Sequence, residues 1–202
     1  MDLRTVAILR AFGPERSRDF AESCWDAGMD LVEVPVQGKA GWASLEAVAA
    51  VAAGRAFGAG TVLTPSDAVR AIELGASVVI SPGIDIEVVA AATDAGALAL
   101  PGVMTPSDVI VASRLGLRNA KFFPASLVGP AWLGAIRGPF PAMGFVAVGG
   151  VDLSNAADYL RAGAVGVGFG SSIVAILESV DPAAVVAELH ALVRRAPSDH
   201  LS

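Results

Sequence analysis

Seven glycines recur at intervals that leave the chain little choice of fold. Gly28, Gly54, Gly75, Gly96, Gly116, Gly138 and Gly163 are separated by 26, 21, 21, 20, 22 and 25 residues. Each follows a helix-like stretch and precedes an apolar run, where a left-handed glycine ends a helix without a Cβ penalty. Seven such ends plus a terminal helix predict eight strand–helix units. The strands are expected at Thr5–Leu9, Leu31–Val36, Ala56–Ala59, Ser77–Ser81, Ala97–Leu100, Ala120–Phe123, Gly144–Val148 and Ala164–Gly168. Most are continuous apolar runs, as parallel strands covered on both faces are. Thr64-Pro65, Thr105-Pro106 and Gly129-Pro130 place proline at a first helical position, and Asp152-Leu153-Ser154-Asn155 offers capping side chains. Strict alternation leaves a doubly wound sheet or a closed barrel, and eight near-even units favour the barrel. The expected fold is α/β, a (β/α)8 TIM barrel, with residues 1–202 as a single domain at the short end of the usual range.

Composition then removes whole classes of function. Net charge is −6 with no basic run, which argues against nucleic acid as a partner. The richest apolar stretch is broken by Asp85, Glu87, Asp94 and Asp108, so no membrane span is expected. One cysteine, Cys24, permits no internal disulfide, and the start of the chain lacks a signal-peptide layout. Both features fit a cytoplasmic protein. The two histidines, His190 and His200, fall in the last helix and the tail, away from any strand end. A metal site of histidine and carboxylate ligands is therefore not expected.

Of fourteen basic residues only two are lysines, Lys39 and Lys121. A chain that writes arginine almost everywhere keeps lysine where a removable proton matters, because arginine does not lose its proton in a protein. Lys121 lies inside the strand Ala120-Lys121-Phe122-Phe123, where burying a charge is expensive. Period-2 alternation sets Lys121 and Phe123 on one face and Phe122 on the other. On the interior face the amine is stripped of water and favoured as a neutral nucleophile; on the exterior it is an ordinary snorkelling lysine. Glu33, in Leu31-Val32-Glu33-Val34, needs a partner in an apolar barrel strand. Lys121 is the first choice and would make the two a nucleophile and a general acid/base; a structural ion pair with Arg10 or Arg55 is the plain alternative.

Active sites of this barrel form at the C-terminal ends of the strands. Arg10 ends the first strand, placed to hold a carboxylate or to serve as a surface arginine. Thr61 and Pro82 close strands three and four; the first offers a hydroxyl to a keto-acid carboxylate and the second a pocket wall, while Pro101-Gly102 closes strand five. Gly149-Gly150 and Gly170-Ser171 end strands seven and eight, the usual phosphate location in this fold.

These stretches together resemble one family over nearly the whole chain: Val32-Glu33-Val34, Gly58–Leu63, Ile80-Ser81-Pro82-Gly83, Leu100–Thr105, Lys121–Ala125, Val148–Val151 and Gly168–Ser172, in order. The resemblance is to the 2-keto-3-deoxy-6-phosphogluconate / 4-hydroxy-2-oxoglutarate aldolases. It implies a cofactor-free class I aldolase, usually a homotrimer, acting on a keto-acid phosphate and releasing pyruvate. Lys121 then matches the Schiff-base lysine, Glu33 the acid/base, Thr61, Pro82 and Phe123 the pyruvate pocket, and Gly149, Gly150, Gly170 and Ser171 the phosphate site. Gln37 and Val148 depart from the arginine and threonine of the gluconate branch. Arg10, Pro35 and Ala147-Val148-Gly149-Gly150 look more like the 6-phosphogalactonate branch, and the family's extra N-terminal helix is short or missing. The implied reaction is cleavage of a 2-keto-3-deoxy-6-phospho-aldonate to pyruvate and glyceraldehyde 3-phosphate. The rival readings are cleavage of unphosphorylated 4-hydroxy-2-oxoglutarate to pyruvate and glyoxylate, a non-catalytic phosphosugar-binding barrel, and a phosphosugar isomerase or synthase. A strand-six lysine with an interior glutamate favours the two aldolase readings, since neither residue is needed to bind phosphate and isomerase or synthase chemistry needs no strand-six lysine.

Overall fold

The computed structural model describes residues 1–195. Strands and helices alternate: β1 (Thr5–Ile8), α1 (Pro14–Asp26), β2 (Leu31–Pro35), α2 (Gly38–Val51), β3 (Phe57–Gly60), α3 (Pro65–Glu73), β4 (Val78–Ser81) and α4 (Ile86–Asp94). The second half continues with β5 (Leu98–Val103), α5 (Pro106–Arg114), β6 (Asn119–Phe122), α6 (Ala125–Val128), α7 (Ala131–Arg137), β7 (Gly144–Val148), α8 (Ala156–Arg161), β8 (Gly166–Phe169), α9 (Ile173–Leu177) and α10 (Pro182–Arg195). The eight strands are all parallel and close into one barrel in sequence order.

Period-2 alternation sorts the strand residues into two cores. Val6, Ile8, Leu31, Val78, Ile80, Leu100, Val146 and Val148 fill the barrel interior. Ala7, Val32, Val34, Phe57, Phe122, Phe145 and Phe169 point outward and meet the helices. Phe122 stacks on Trp132 of α7 with ring centroids 4.2 Å apart, and Trp132 meets Phe145 edge-on. Each buried aromatic of this outer layer stabilises by roughly 1.5–3 kcal/mol over an exposed one. Helix starts are fixed locally: Thr64 caps α3, Asp85 caps α4, and Thr105 with Asp108 forms a full capping box on α5.

Several local expectations are corrected. Gly138 is right-handed at φ −53°, because the turn winds on past it and the Phe140 amide still bonds the Ile136 carbonyl. The other six spaced glycines do have positive φ. Pro130 stands one residue before α7, at its cap, instead of at the first helical position. Strand β5 runs on through Pro101 and Gly102 to Val103; a Cβ on Gly102 would lie 2.0 Å from the Pro82 carbonyl oxygen, so glycine lets the strand continue against that turn. Strands β3 and β8 begin and end later than expected, at Phe57–Gly60 and Gly166–Phe169; β5 and β6 shift at both edges, β1 and β2 end one residue early, β4 starts one residue late, and β7 keeps its bounds.

Candidate active site

Strands β2 and β6 stand opposite each other in the eight-strand ring, and each sends one ionisable side chain inward. Lys121 is registered between Gly102 of β5 and Val146 of β7; Glu33 lies between Ile8 of β1 and Gly58 of β3. Their side chains meet with Lys121 Nζ 3.5 Å from Glu33 Oε1, at 5% and 1% exposure. Glu33 Oε1 makes no hydrogen bond, so the distance is that of an ion pair without donor alignment. Glycine makes the room: a Cβ on Gly60 would sit 2.1 Å from Glu33 Oε1 and 2.7 Å from its Cγ. Phe123 closes the pocket beside the amine, with Nζ 5.0 Å from its ring centroid. A buried ion pair is a poor stability device, because desolvation offsets the attraction, and a carboxylate oxygen left without a hydrogen bond makes the pair a candidate for chemistry. Arg55 bonds the Val51 and Ala52 carbonyls and faces Asp26, and Arg10 turns elsewhere, so neither is the partner of Glu33.

Above this pair the strand ends build a rim. Arg10 donates through Nη1 to Gln37 Oε1 and through Nη2 to Thr61 Oγ1, the latter at 3.3 Å. Thr61 is held at φ +56°, a left-handed backbone that a β-branched residue rarely adopts and that is typical of functional positions. Pro82 stands exposed after β4, in a turn closed by the Ser81 hydroxyl donating to the Gly83 carbonyl at 2.6 Å.

Across the mouth lie the loops after β7 and β8. Gly149 and Gly150 have φ +95° and +74°, and a Cβ on Gly150 would come within 2.2 Å of Ser126 Oγ. Among the described residues the amides of Gly149, Gly150, Gly170 and Ser171 donate to no protein acceptor. The expected capping segment Asp152–Asn155 does other work. The Asn155 side chain makes no capping bond on α8; it accepts from the Asp152 amide and donates to the Gly150 carbonyl. The Ser154 hydroxyl and amide both donate to Asp152, holding its carboxyl below the ordinary range. The Ser172 hydroxyl donates to the Val151 carbonyl at 2.7 Å and ties the two loops together. The sequence marks Gln37 only as a departure from the gluconate branch and Ser172 only as part of the resembling stretch Gly168–Ser172, and assigns neither a role, since a lone hydroxyl or amide in a loop carries no periodic signal.

Elsewhere the described residues offer less chemistry. No group of three or more potential metal ligands occurs among them. His190 meets the Thr5 hydroxyl at 2.9 Å and Asp30 at 3.4 Å, at the start of β1, far along the strand from the mouth. His200 lies outside the described residues. Burial pushes the Cys24 thiol up to about 12. A groove of about 430 Å³ opens at the N-terminal end of the barrel, lined by Leu3, Leu98, Leu100 and Leu115. Its lining carries no nucleophile–base pair.

Comparison with known proteins bears on this arrangement. Residues 2–187 match the aldolase family described as KDPG and KHG aldolase. A probable 2-dehydro-3-deoxy-6-phosphogalactonate aldolase of Rhizobium meliloti (strain 1021) is 36% identical over 175 residues, covering 86% of this chain and 82% of its relative. The solved native KDPGal structure superposes with a TM-score of 0.85 at 30% identity, over 96% of this chain and 98% of that one. KDPG aldolase from Legionella pneumophila, with pyruvate captured at low pH as a covalent carbinolamine intermediate, superposes with a TM-score of 0.79 at 27% identity, over 97% and 95%.

Proposed function

The chain belongs to the KDPG and KHG aldolase family, and from that premise we propose that it is a class I aldolase cleaving a 2-keto-3-deoxy-6-phospho-aldonate to pyruvate and glyceraldehyde 3-phosphate. The observation that carries the reading is the interior Lys121–Glu33 pair, 3.5 Å apart and almost fully buried, with one carboxylate oxygen free of hydrogen bonds.

The chemistry is set by these two groups. Lys121, as the neutral amine, adds to the C2 ketone of the substrate. The nitrogen passes a proton to the new C2 alkoxide to form the carbinolamine hydroxyl, and Glu33, having taken the ammonium proton of Lys121 beforehand, protonates that hydroxyl, which leaves as water and gives the iminium. Glu33, now a carboxylate, takes the proton of the C4 hydroxyl. The C3–C4 bond breaks, its electrons flow into the iminium, and glyceraldehyde 3-phosphate departs. The enamine left on Lys121 is protonated at C3, and water releases pyruvate and restores the amine. In this proposal Arg10 and Thr61 hold the keto-acid carboxylate, while Pro82 and Phe123 wall the pyruvate methylene. The free amides of Gly149, Gly150, Gly170 and Ser171 receive the phosphate.

The same reading includes a homotrimer working in the cytoplasm, which the family resemblance and the single buried Cys24 support. No helix among the described residues is long and apolar enough to cross a membrane. Sedimentation measures the trimer directly.

The deciding experiment is borohydride reduction in the presence of pyruvate and then peptide mass spectrometry. A reduced pyruvyl adduct on Lys121 is expected. Unmodified Lys121 in folded protein overturns the Schiff-base reading. Turnover of phosphorylated against unphosphorylated substrate then separates the phospho-aldonate from 4-hydroxy-2-oxoglutarate.

A further inference from the structure

We propose that Gln37 is a positioning residue: its side-chain carbonyl aims the Arg10 guanidinium at the keto-acid carboxylate and leaves the cation's charge uncancelled. This rests on the reading of Arg10 given under the proposed function.

Gln37 occupies the cap position of α2, where Ser, Thr, Asp or Asn would bond a free helix amide. It makes no capping hydrogen bond. Its side chain turns across the mouth and accepts from Arg10 Nη1, while Thr61 Oγ1 accepts from Nη2. Two neutral oxygens, just beyond the ends of successive strands β2 and β3, therefore grip both ends of one guanidinium. Arginine has five N–H donors; two are committed here and three remain for a ligand. Among the described residues no carboxylate lies within ion-pair distance of Arg10, whereas Arg4, Arg18, Arg55, Arg70, Lys121, Arg161 and His190 each have such a partner.

The choice of a neutral acceptor is what the ligand demands. A carboxylate at position 37 would hold the guanidinium equally well but cancel its charge and repel an anionic substrate. A cation there would repel Arg10. A small side chain would let the exposed, flexible arginine sample orientations in which its donors miss the carboxylate. Thr61 supplies the second fixed point, and its left-handed backbone shows that its place is set by the surrounding structure, not by local preference.

Pyruvate trapping tests this with one readout, the pyruvate concentration giving half-maximal reduced adduct on Lys121, with thermal unfolding run alongside. Gln37→Ala is expected to raise that concentration about tenfold, the scale of one charge-assisted hydrogen bond, with maximal trapping retained. Gln37→Glu, of nearly the same shape, is expected to raise it further. In an Arg10→Ala background the Gln37→Ala change is expected to add nothing, because its only route to the ligand is gone. An undiminished Gln37→Ala effect without Arg10, or a Gln37→Glu variant as good as the parent, overturns the proposal. If the parent protein itself forms no adduct, the aldolase reading fails and this one with it. If the parent is trapped and the Gln37 variants behave like it, only the role of Gln37 fails.

Discussion

Gly60→Ala tests the site without touching any group assigned a chemical role. Gly60 ends β3 facing inward, directly against the Glu33 side chain. An added Cβ would lie 2.1 Å from Oε1, 2.7 Å from Cγ and 2.8 Å from Cδ. Ordinary contact begins near 3.4 Å, so the carboxylate must retreat by the difference, about 1.3 Å. Glu33 is 1% exposed and has no solvent to retreat into, so the move is made inside a packed barrel. Overpacking of this kind costs about 1–3 kcal/mol of stability, which a barrel of this size survives. Displacing an acid/base group by about 1 Å costs on the order of a hundredfold in rate. The expected result is a folded protein whose kcat for substrate cleavage, measured as pyruvate release, falls about a hundredfold and approaches that of Glu33→Gln. Circular dichroism and thermal unfolding confirm the fold. A folded Gly60→Ala protein that keeps the parent's kcat refutes the assignment of Glu33 as acid/base.

Other expectations rest on contacts of the same kind. Lys121→Met alone leaves Glu33 buried without its cation and is expected to cost about 3–5 kcal/mol, while Lys121→Met with Glu33→Gln is expected to recover most of that loss; denaturant unfolding measures both, and equal stabilities would contradict the buried-pair argument. Trp132→Ala removes the stack on Phe122 and the indole bond to the Met104 carbonyl, with an expected loss of about 3–5 kcal/mol in the same assay; a loss under about 1 kcal/mol would mean that this layer is not close-packed. Burial raises the Asp108 carboxyl, but hydrogen bonds from the Met104 and Thr105 amides and the Thr105 hydroxyl outweigh it and hold Asp108 below the ordinary range. A depressed carboxyl contributes stability above its unfolded value and loses it as pH falls through the folded one. The stability gap between the parent and Asp108→Asn is therefore expected to be widest near neutrality and to close on acidification; a gap constant with pH in thermal unfolding rejects this cause.

Eight strand–helix units were legible because their punctuation is local: a helix end wants a left-handed glycine, and six of the seven spaced glycines adopt that conformation. The interior placing of Lys121 was legible for a similar reason, since alternation in a short strand ties it to Phe123 and against Phe122, and Phe122 stacks outside on Trp132. Gly138 misled because the chain beyond it makes another half-turn, closed by Phe140, and that continuation depends on packing and not on the glycine. Asp152–Asn155 misled because capping residues satisfy any nearby backbone group, and here that group is the Gly150 carbonyl. The fit of Gly60 to Glu33 was not legible at all. It depends on two adjacent strands passing at one register, with Val34 opposite Ala59 and Pro35 opposite Gly60.

The proposed site also accounts for how a chain of net charge −6 would handle an anionic substrate. Long-range attraction is weak or adverse here, so each anionic group of the substrate must be met at contact distance. In the proposed arrangement the carboxylate end meets a true cation, Arg10, held by neutral oxygens that do not quench it. The phosphate end meets backbone amides, partial charges fixed by the fold and independent of pH. Between the two, the interior offers one cation and one carboxylate of its own, Lys121 and Glu33, paired without hydrogen-bond alignment. Such a pair has a proton to exchange and no rigid bond to break first. In this proposal the recognition groups at the rim keep their charge while the reacting pair inside trades its own, and that separation would let one small barrel bind an anion and run proton transfers within it.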